Sequence, residues 1–144
     1  MNRHCLQECG IEKTNKVNRA AVKALAAVEI KRLKKTVGMN KLETFGQFWD
    51  FFQVAMATFA GDFMKYSFVS DDMNHMRATW HECFAYDGIK ALGVIDKCEC
   101  GIMDRVENWF ESLGIMYEVE PKVTICMMHT EGQCYRDYTF FFEN

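Results

Sequence analysis

The last strand-like stretch, Cys134 to Phe142, is apolar on both of its alternating faces, with Tyr138, Phe140 and Phe142 on one parity and Thr139 and Phe141 on the other. A strand of that composition has to lie inside a sheet or be covered on both sides, which excludes an exposed edge. Val123 to Met128 is also rich in β-branched and sulfur-bearing residues, and His129 to Gln133 lies between the two runs with Gly132 to turn on. Lys122 to Phe142 therefore predicts a β-hairpin. A loop over Thr130-Glu131-Gly132, with Gly132 left-handed, places Met128 opposite Cys134 and Cys126 opposite Arg136, so that both thiols share a face. A tight Glu131-Gly132 turn changes the parity and puts them on opposite faces.

The rest of the chain divides into segments of clear periodicity. Residues 1–12 show none, and 1–15 read as an N-terminal tail carrying Cys5 and Cys9, with residues 16–144 as one domain. From about Lys16, Val17, Ala21, Ala24, Leu25 and Val28 recur at helical steps, and Gly38 follows a lysine-rich last turn as a C-cap. A second helix is predicted from Leu42 or Thr44 to about Ala60. Thr44-x-x-Gln47 opens it as a capping box, and Phe45, Phe48, Trp49, Phe52, Met56 and Phe59 form a broad core-facing stripe. The period then changes to two. Phe63 to Val69 and Met73 to Glu82 read as antiparallel strands joined at Ser70-Asp71-Asp72, with Met76, Ala78 and Trp80 facing away from His75, Arg77, Thr79 and His81. Short helices follow at Phe84 to Leu92 and Ile102 to Leu113, and Ile115 to Glu120 is either a short strand or a connector. Helices and strands in blocks predict an α+β fold: two long N-terminal helices, an antiparallel sheet built from two hairpins, and two shorter helices between the hairpins.

The chain is long enough, at 144 residues, to bury one core of its own. No stretch approaches the roughly 20 uninterrupted apolar residues of a membrane span, and no apolar run follows the charged start, so the expected location is the cytoplasm. Seven cysteines are an odd number for a secreted disulfide framework, which favours free thiols or metal ligands. The net charge of −3 conceals an asymmetry: Lys13 to Lys41 holds nine basic residues against Glu29 alone, while the chain from Leu42 holds seven basic and 17 acidic residues. Without interleaved aromatics, that basic segment reads as a solvated helix face, or one lying against the acidic surface of a second copy in a homodimer, ahead of a nucleic-acid contact.

The candidate chemistry is carried by sulfur. Cys83, Cys98, Cys100, Cys126 and Cys134 fall where strands and helices begin or end, and short turns could bring them to one end of the sheet. Thiolates so gathered are candidate ligands for zinc or iron, although Cys98-x-Cys100 is not the common Cys-x-x-Cys knuckle. A second reading makes Cys83, Cys98 or Cys100 a nucleophile with His81 or His129 as base, or makes two of the thiols a reversible disulfide. The plain alternative is buried small apolar side chains. Glu29, Glu82 and Asp104 read as intrahelical or surface ion-pair partners. No phosphate loop, Ser-His-Asp order or His-Glu-x-x-His is present.

The run Val28 to Lys35, the strand ending at Cys83, Cys100 before a helix carrying Trp109-Phe110, Pro121 to Cys126 and the closing Cys134 to Phe140 together resemble an uncharacterised prokaryotic family common in anaerobes, over about residues 16–142. Gly93 to Phe142 is similar to the L-2-amino-thiazoline-4-carboxylic acid hydrolase family, whose members end in a comparable cysteine-bearing hairpin. The second resemblance implies opening of a cyclic amidine carbon–nitrogen bond in a sulfur heterocycle. The chain departs from both families at Cys5, Cys9 and Cys98, and lacks the glycine- and aspartate-rich turn of the hydrolases. The resemblance singles out Cys83, Cys100, Cys126 and Cys134 as a set. Two expectations follow: a small-molecule- or metal-binding, sensor-type domain, or a thiol-dependent hydrolase of small cyclic carbon–nitrogen substrates.

Overall fold

The computed structural model describes residues 3–71 and 73–142. They form an α+β fold. The helices are α1 (Arg3–Val37), α2 (Phe45–Phe59), α3 (Phe84–Ala91), α4 (Gly101–Leu113) and α5 (Met127–Glu131), with a 3-10 turn at Ile95–Lys97. The strands β1 (Lys65–Ser70), β2 (His75–Glu82), β3 (Met116–Glu120) and β4 (Cys134–Phe141) make one antiparallel sheet in the order β1-β2-β4-β3. The strand apolar on both parities is thus interior, paired on both sides. No described helix is long and apolar enough to cross a membrane.

One face of the sheet carries the core. Met76, Ala78 and Trp80 of β2 and Tyr138 and Phe140 of β4 are buried against α2 and α4. Phe48 of α2 lies 4.5 Å from the Phe140 ring and 5.5 Å from Phe110 of α4, and Phe52 meets Phe68 of β1 edge-on at 4.8 Å. Phe110 in turn packs edge-on to Tyr138 and Phe140 at 5.3 and 5.1 Å. The opposite face bears His75, Arg77 and His81, all exposed, with Arg77 held by Asp137 at 2.6 Å. The α2 N-cap is Thr44, whose Oγ1 accepts from Gln47 N–H at 3.3 Å, while Gln47 Oε1 reaches back to Glu43 N–H at 2.8 Å rather than to Thr44.

α1 packs along α4, and charge fixes the pairing. Glu29, 7 % exposed, accepts hydrogen bonds from Arg105 Nε at 3.0 Å, from Arg105 Nη2, and from Trp109 Nε1 at 2.9 Å. Further out, Arg19 pairs with Glu99 and Asp104 at 2.7 and 2.6 Å, and Lys23 with Glu111 at 3.4 Å. At the N-terminus of α4 the helices come close enough that a Cβ on Gly101 would sit 2.5 Å from Asn18 Nδ2. Part of the basic segment therefore meets acidic residues of the same chain. Glu29 is an ion-pair partner, as expected, but between helices and buried rather than within one helix or at the surface. Glu82 pairs with Lys65 on the surface at 2.5 Å.

Two expectations are corrected. The terminal hairpin does not form: Val123 to Met128 is not a strand, its end starts α5, and β4 pairs with β2 and β3 instead. Neither proposed register of Cys126 and Cys134 arises. The buried Arg136 of β4 holds the segment where it lies, donating to Val123 O at 3.1 Å and Met127 Sδ at 3.3 Å, and to Tyr135 O of its own strand at 2.7 Å. Residues 3–15, expected as an aperiodic tail, are helical and run into α1 with a break at Gly10, where φ is +73°. Thr14 and Asn15 are buried there, and Asn15 Nδ2 donates to Lys97 O at 2.8 Å. A polar tertiary anchor, invisible to hydrophobic periodicity, orders that turn. Asp72, in the expected turn between the first two strands, lies outside the described residues.

Removing one member of a buried pair leaves a stranded charge, a loss of about 3–5 kcal/mol, whereas an exposed pair is worth about 0–1. Glu29→Ala is accordingly expected to lower the urea midpoint of unfolding far more than Lys23→Ala. Equal effects of the two substitutions would refute the structural role given to Glu29.

Candidate functional site

The strongest amphipathic pattern with no buried residue is in α3, whose Phe84 and Ile89 find no core to enter. Instead, Phe84, Tyr86, Ile89 and Leu92 face Asn18, Val22 and Leu25 of α1 across a cavity of about 390 Å³, closed on a third side by residues 98–102 and Arg105. That volume falls in the range of small-molecule pockets. Four of the five singled-out thiols line it: Cys83, Cys98, Cys100 and Cys126. Cys134 does not line it, although its thiol is within electrostatic reach of Cys83, Cys100 and Cys126. Cys5 and Cys9, in the first turns of α1, do not line it either.

Each thiol stands where one element gives way to the next. Cys83 follows β2 and is the N-cap of α3, Cys100 is the N-cap of α4, and Cys126 is the N-cap of α5. Cys98 closes the 3-10 turn, and Cys134 opens β4. Because β2 and β4 are antiparallel neighbours, with Trp80 paired to Cys134, the end of one and the start of the other adjoin. An isolated antiparallel bridge, Glu99 to Ile125, with Cys100 N–H donating to Thr124 O at 2.8 Å, draws the approach to α4 against the approach to α5. Convergence of the sulfurs therefore follows from strand order and one short bridge.

The wall is chemically soft and nearly neutral. Its charged members are spoken for: Arg105 by Glu29, and Glu99 by Arg19. His81 is on the outer sheet face, with Nε2 2.9 Å from Ser67 Oγ, and His129 is exposed on α5; neither lines the cavity. Burial raises the Cys83 thiol pKa and pushes that of Cys98 up to about 11. Cys134 is also pushed up to about 11, by burial first, with Arg136 opposing. For Cys100 burial raises it to about 12, against the pull of the Met103 and Ile102 N–H groups at the start of α4. The helix terminus thus favours the thiolate, as the sequence position implied, but desolvation outweighs it. Among the described residues no three His, Cys, Asp or Glu side chains are grouped to hold a metal ion. The thiols share a wall without forming a coordination sphere, so the donor set does not fit zinc or iron as placed.

The chain matches no protein-family model and no curated protein. What the cavity can do rests on its own residues. Sequence reasoning named its thiols but not its apolar wall, and the signal available was α3 itself, an amphipathic helix too short to contribute to a core and followed at once by Gly93.

A thiol whose folded-state pKa exceeds its unfolded value near 9 stabilises the fold fully below that value and loses the contribution as pH rises toward the folded pKa. In that window the unfolded chain has released protons that the native one retains. Between the unfolded and folded pKa values the unfolding free energy of reduced protein should fall by about 1.4 kcal/mol per pH unit for each such thiol. Cys100→Ala should flatten this dependence, as measured by urea unfolding at a series of pH values. A stability independent of alkaline pH would contradict the burial ascribed to these groups.

Proposed function

We propose that this chain is a small-molecule-binding, sensor-type module whose ligand occupies the cavity between α1, α3 and the Cys98–Ile102 segment. The observation carrying the reading is a half-open, mostly apolar cavity of ligand size, with four cysteines in its wall and its charged groups already paired. Such a wall complements an uncharged organic molecule with apolar or sulfur-containing groups, held by dispersion and desolvation rather than by charge. A cytoplasmic, reducing setting belongs to the same reading, because it keeps the thiols unpaired.

The hydrolase alternative rests on the sequence resemblance. It requires Cys100 or Cys83 ionised and a base in reach, whereas burial keeps both thiols protonated and no described histidine lines the cavity. Binding accounts for the present arrangement with fewer demands.

The test is titration of reduced protein with N-phenyl-1-naphthylamine, a neutral fluorescent apolar probe. Wild type should bind it saturably, and Ile89→Trp, which fills the cavity from a helix with no buried residue, should weaken binding at least about tenfold with little change in Tm. Binding that survives this substitution would sink the cavity assignment. In parallel, iodoacetamide at neutral pH should alkylate Cys83 and Cys100 more slowly than free cysteine; faster reaction at either would favour the hydrolase.

A further inference from the structure

We infer that Cys98 and Cys126 are a reversible disulfide site, closing across the bridge that joins the two chain segments at the cavity wall. The bridge pairs Glu99 with Ile125 in antiparallel sense. One step along such a pairing sets Cys98 directly opposite Cys126, with both side chains on the same face. Their backbones are extended as this requires, with φ −80° and ψ 128° at Cys98 and φ −73° and ψ 104° at Cys126. Directly opposed residues in an antiparallel pair have Cα atoms about 4.5–5.5 Å apart. A disulfide needs about 4.4–6.8 Å. Both side chains line the same cavity. The other wall thiols lack this relation: Cys100 stands opposite Thr124 across the same bridge, and Cys83 lies beyond the last paired residues of β2.

The two thiols differ in access. Cys126 is half-buried and Cys98 is 4 % exposed, so a soluble oxidant meets Cys126 first. With a low-molecular-weight disulfide as oxidant, the Cys126 thiolate attacks one of its sulfurs, forming a mixed disulfide and expelling one thiolate, which takes up a proton. Cys98, after losing its own proton, attacks the Cys126 sulfur and expels the second thiolate, which is protonated in turn. Two protein thiols are oxidised, one small disulfide is reduced to two thiols, and an excess of thiol reverses the sequence. Burial of Cys98 keeps its thiolate scarce, so the second exchange is the slow one. The closed form ties the approach to α4 to the approach to α5, so the redox state changes one wall of the cavity. This site stands whether or not the cavity holds a ligand.

The experiment is to incubate fully reduced protein with excess oxidised glutathione, quench with acid at intervals, alkylate the remaining thiols and map the peptides by mass spectrometry. Glutathione should appear on Cys126 and then give way to a Cys98–Cys126 cross-link that dithiothreitol reverses. Cys98→Ser should stop at the mixed disulfide, and Cys126→Ser should abolish the cross-link. The wild-type map decides the matter even if a variant fails to fold. A cross-link joining any other pair, or a mixed disulfide on Cys126 that never resolves, overturns the assignment.

Discussion

The carboxylate of Glu29 is the anion around which the helical layer is assembled. It lies between α1 and α4 and takes donors from two residues of α4, the Arg105 guanidinium and the Trp109 indole. A buried ion pair contributes little net stability over a packed apolar equivalent, since desolvation offsets most of the attraction. What it supplies is register. An apolar stripe tolerates a slide of one turn, whereas a carboxylate that must meet three N–H donors does not. Once that register is set, Gly101 meets Asn18, and Val22 and Leu25 stand opposite α3 with a gap between them. The cavity is thus the space left when α1 is pinned to α4 and α3 is too short to fill the remainder.

Aromatic packing fixes the other half of the geometry. Phe110 is shared between α4 and the sheet, touching Phe48, Phe52, Tyr117, Tyr138 and Phe140. Edge-on contacts of this kind restrict ring orientation as well as distance, so the sheet cannot rotate beneath the helices without breaking several at once. The ends of β2 and β4 are thereby held beside the N-terminus of α4. Thiols at positions 83, 100 and 134 share a neighbourhood because of where their elements end, without contacts of their own to bring them together.

Much of this was written in local pattern. Phe45 to Phe59 carried its stripe and its cap, Gly38, Gly93 and Gly114 marked helix ends, and the double-faced apolar run at the C-terminus required an interior strand. That Cys83, Cys98, Cys100, Cys126 and Cys134 fall at element boundaries was also legible; the first four line one cavity and Cys134 does not. What was not legible depended on partners distant in sequence. Val123 to Met128 has the composition of a strand, yet the guanidinium of Arg136 holds it where it lies and β4 pairs with β2 and β3 instead; propensity is a weak prior against such contacts. Asn15 orders its turn through Lys97 and Glu99, far along the chain. The apolar cavity wall was missed because its residues are only partly buried in the fold and so resemble ordinary surface.

The position of cysteine at three helix N-caps has opposite consequences according to solvent. A side-chain oxygen at an N-cap accepts from the first free N–H groups, and sulfur does so poorly: none of the three caps here forms a full side-chain cap bond, although the N–H groups at the starts of α3 and α4 still favour the thiolates of Cys83 and Cys100. In water the exposed N–H groups would instead favour the thiolate, giving a reactive sulfur. Inside the cavity the balance shifts, because each displaced water removes solvation that the dipole cannot replace, and the Cys100 thiol stays protonated to about pH 12. Reactivity in this wall is therefore a property of water content. Further loss of water would make the buried sulfurs still more inert, while opening the Glu99–Ile125 bridge to solvent would restore the dipole's influence on Cys100. The chemistry of the wall is thus tied to the water content of the cavity.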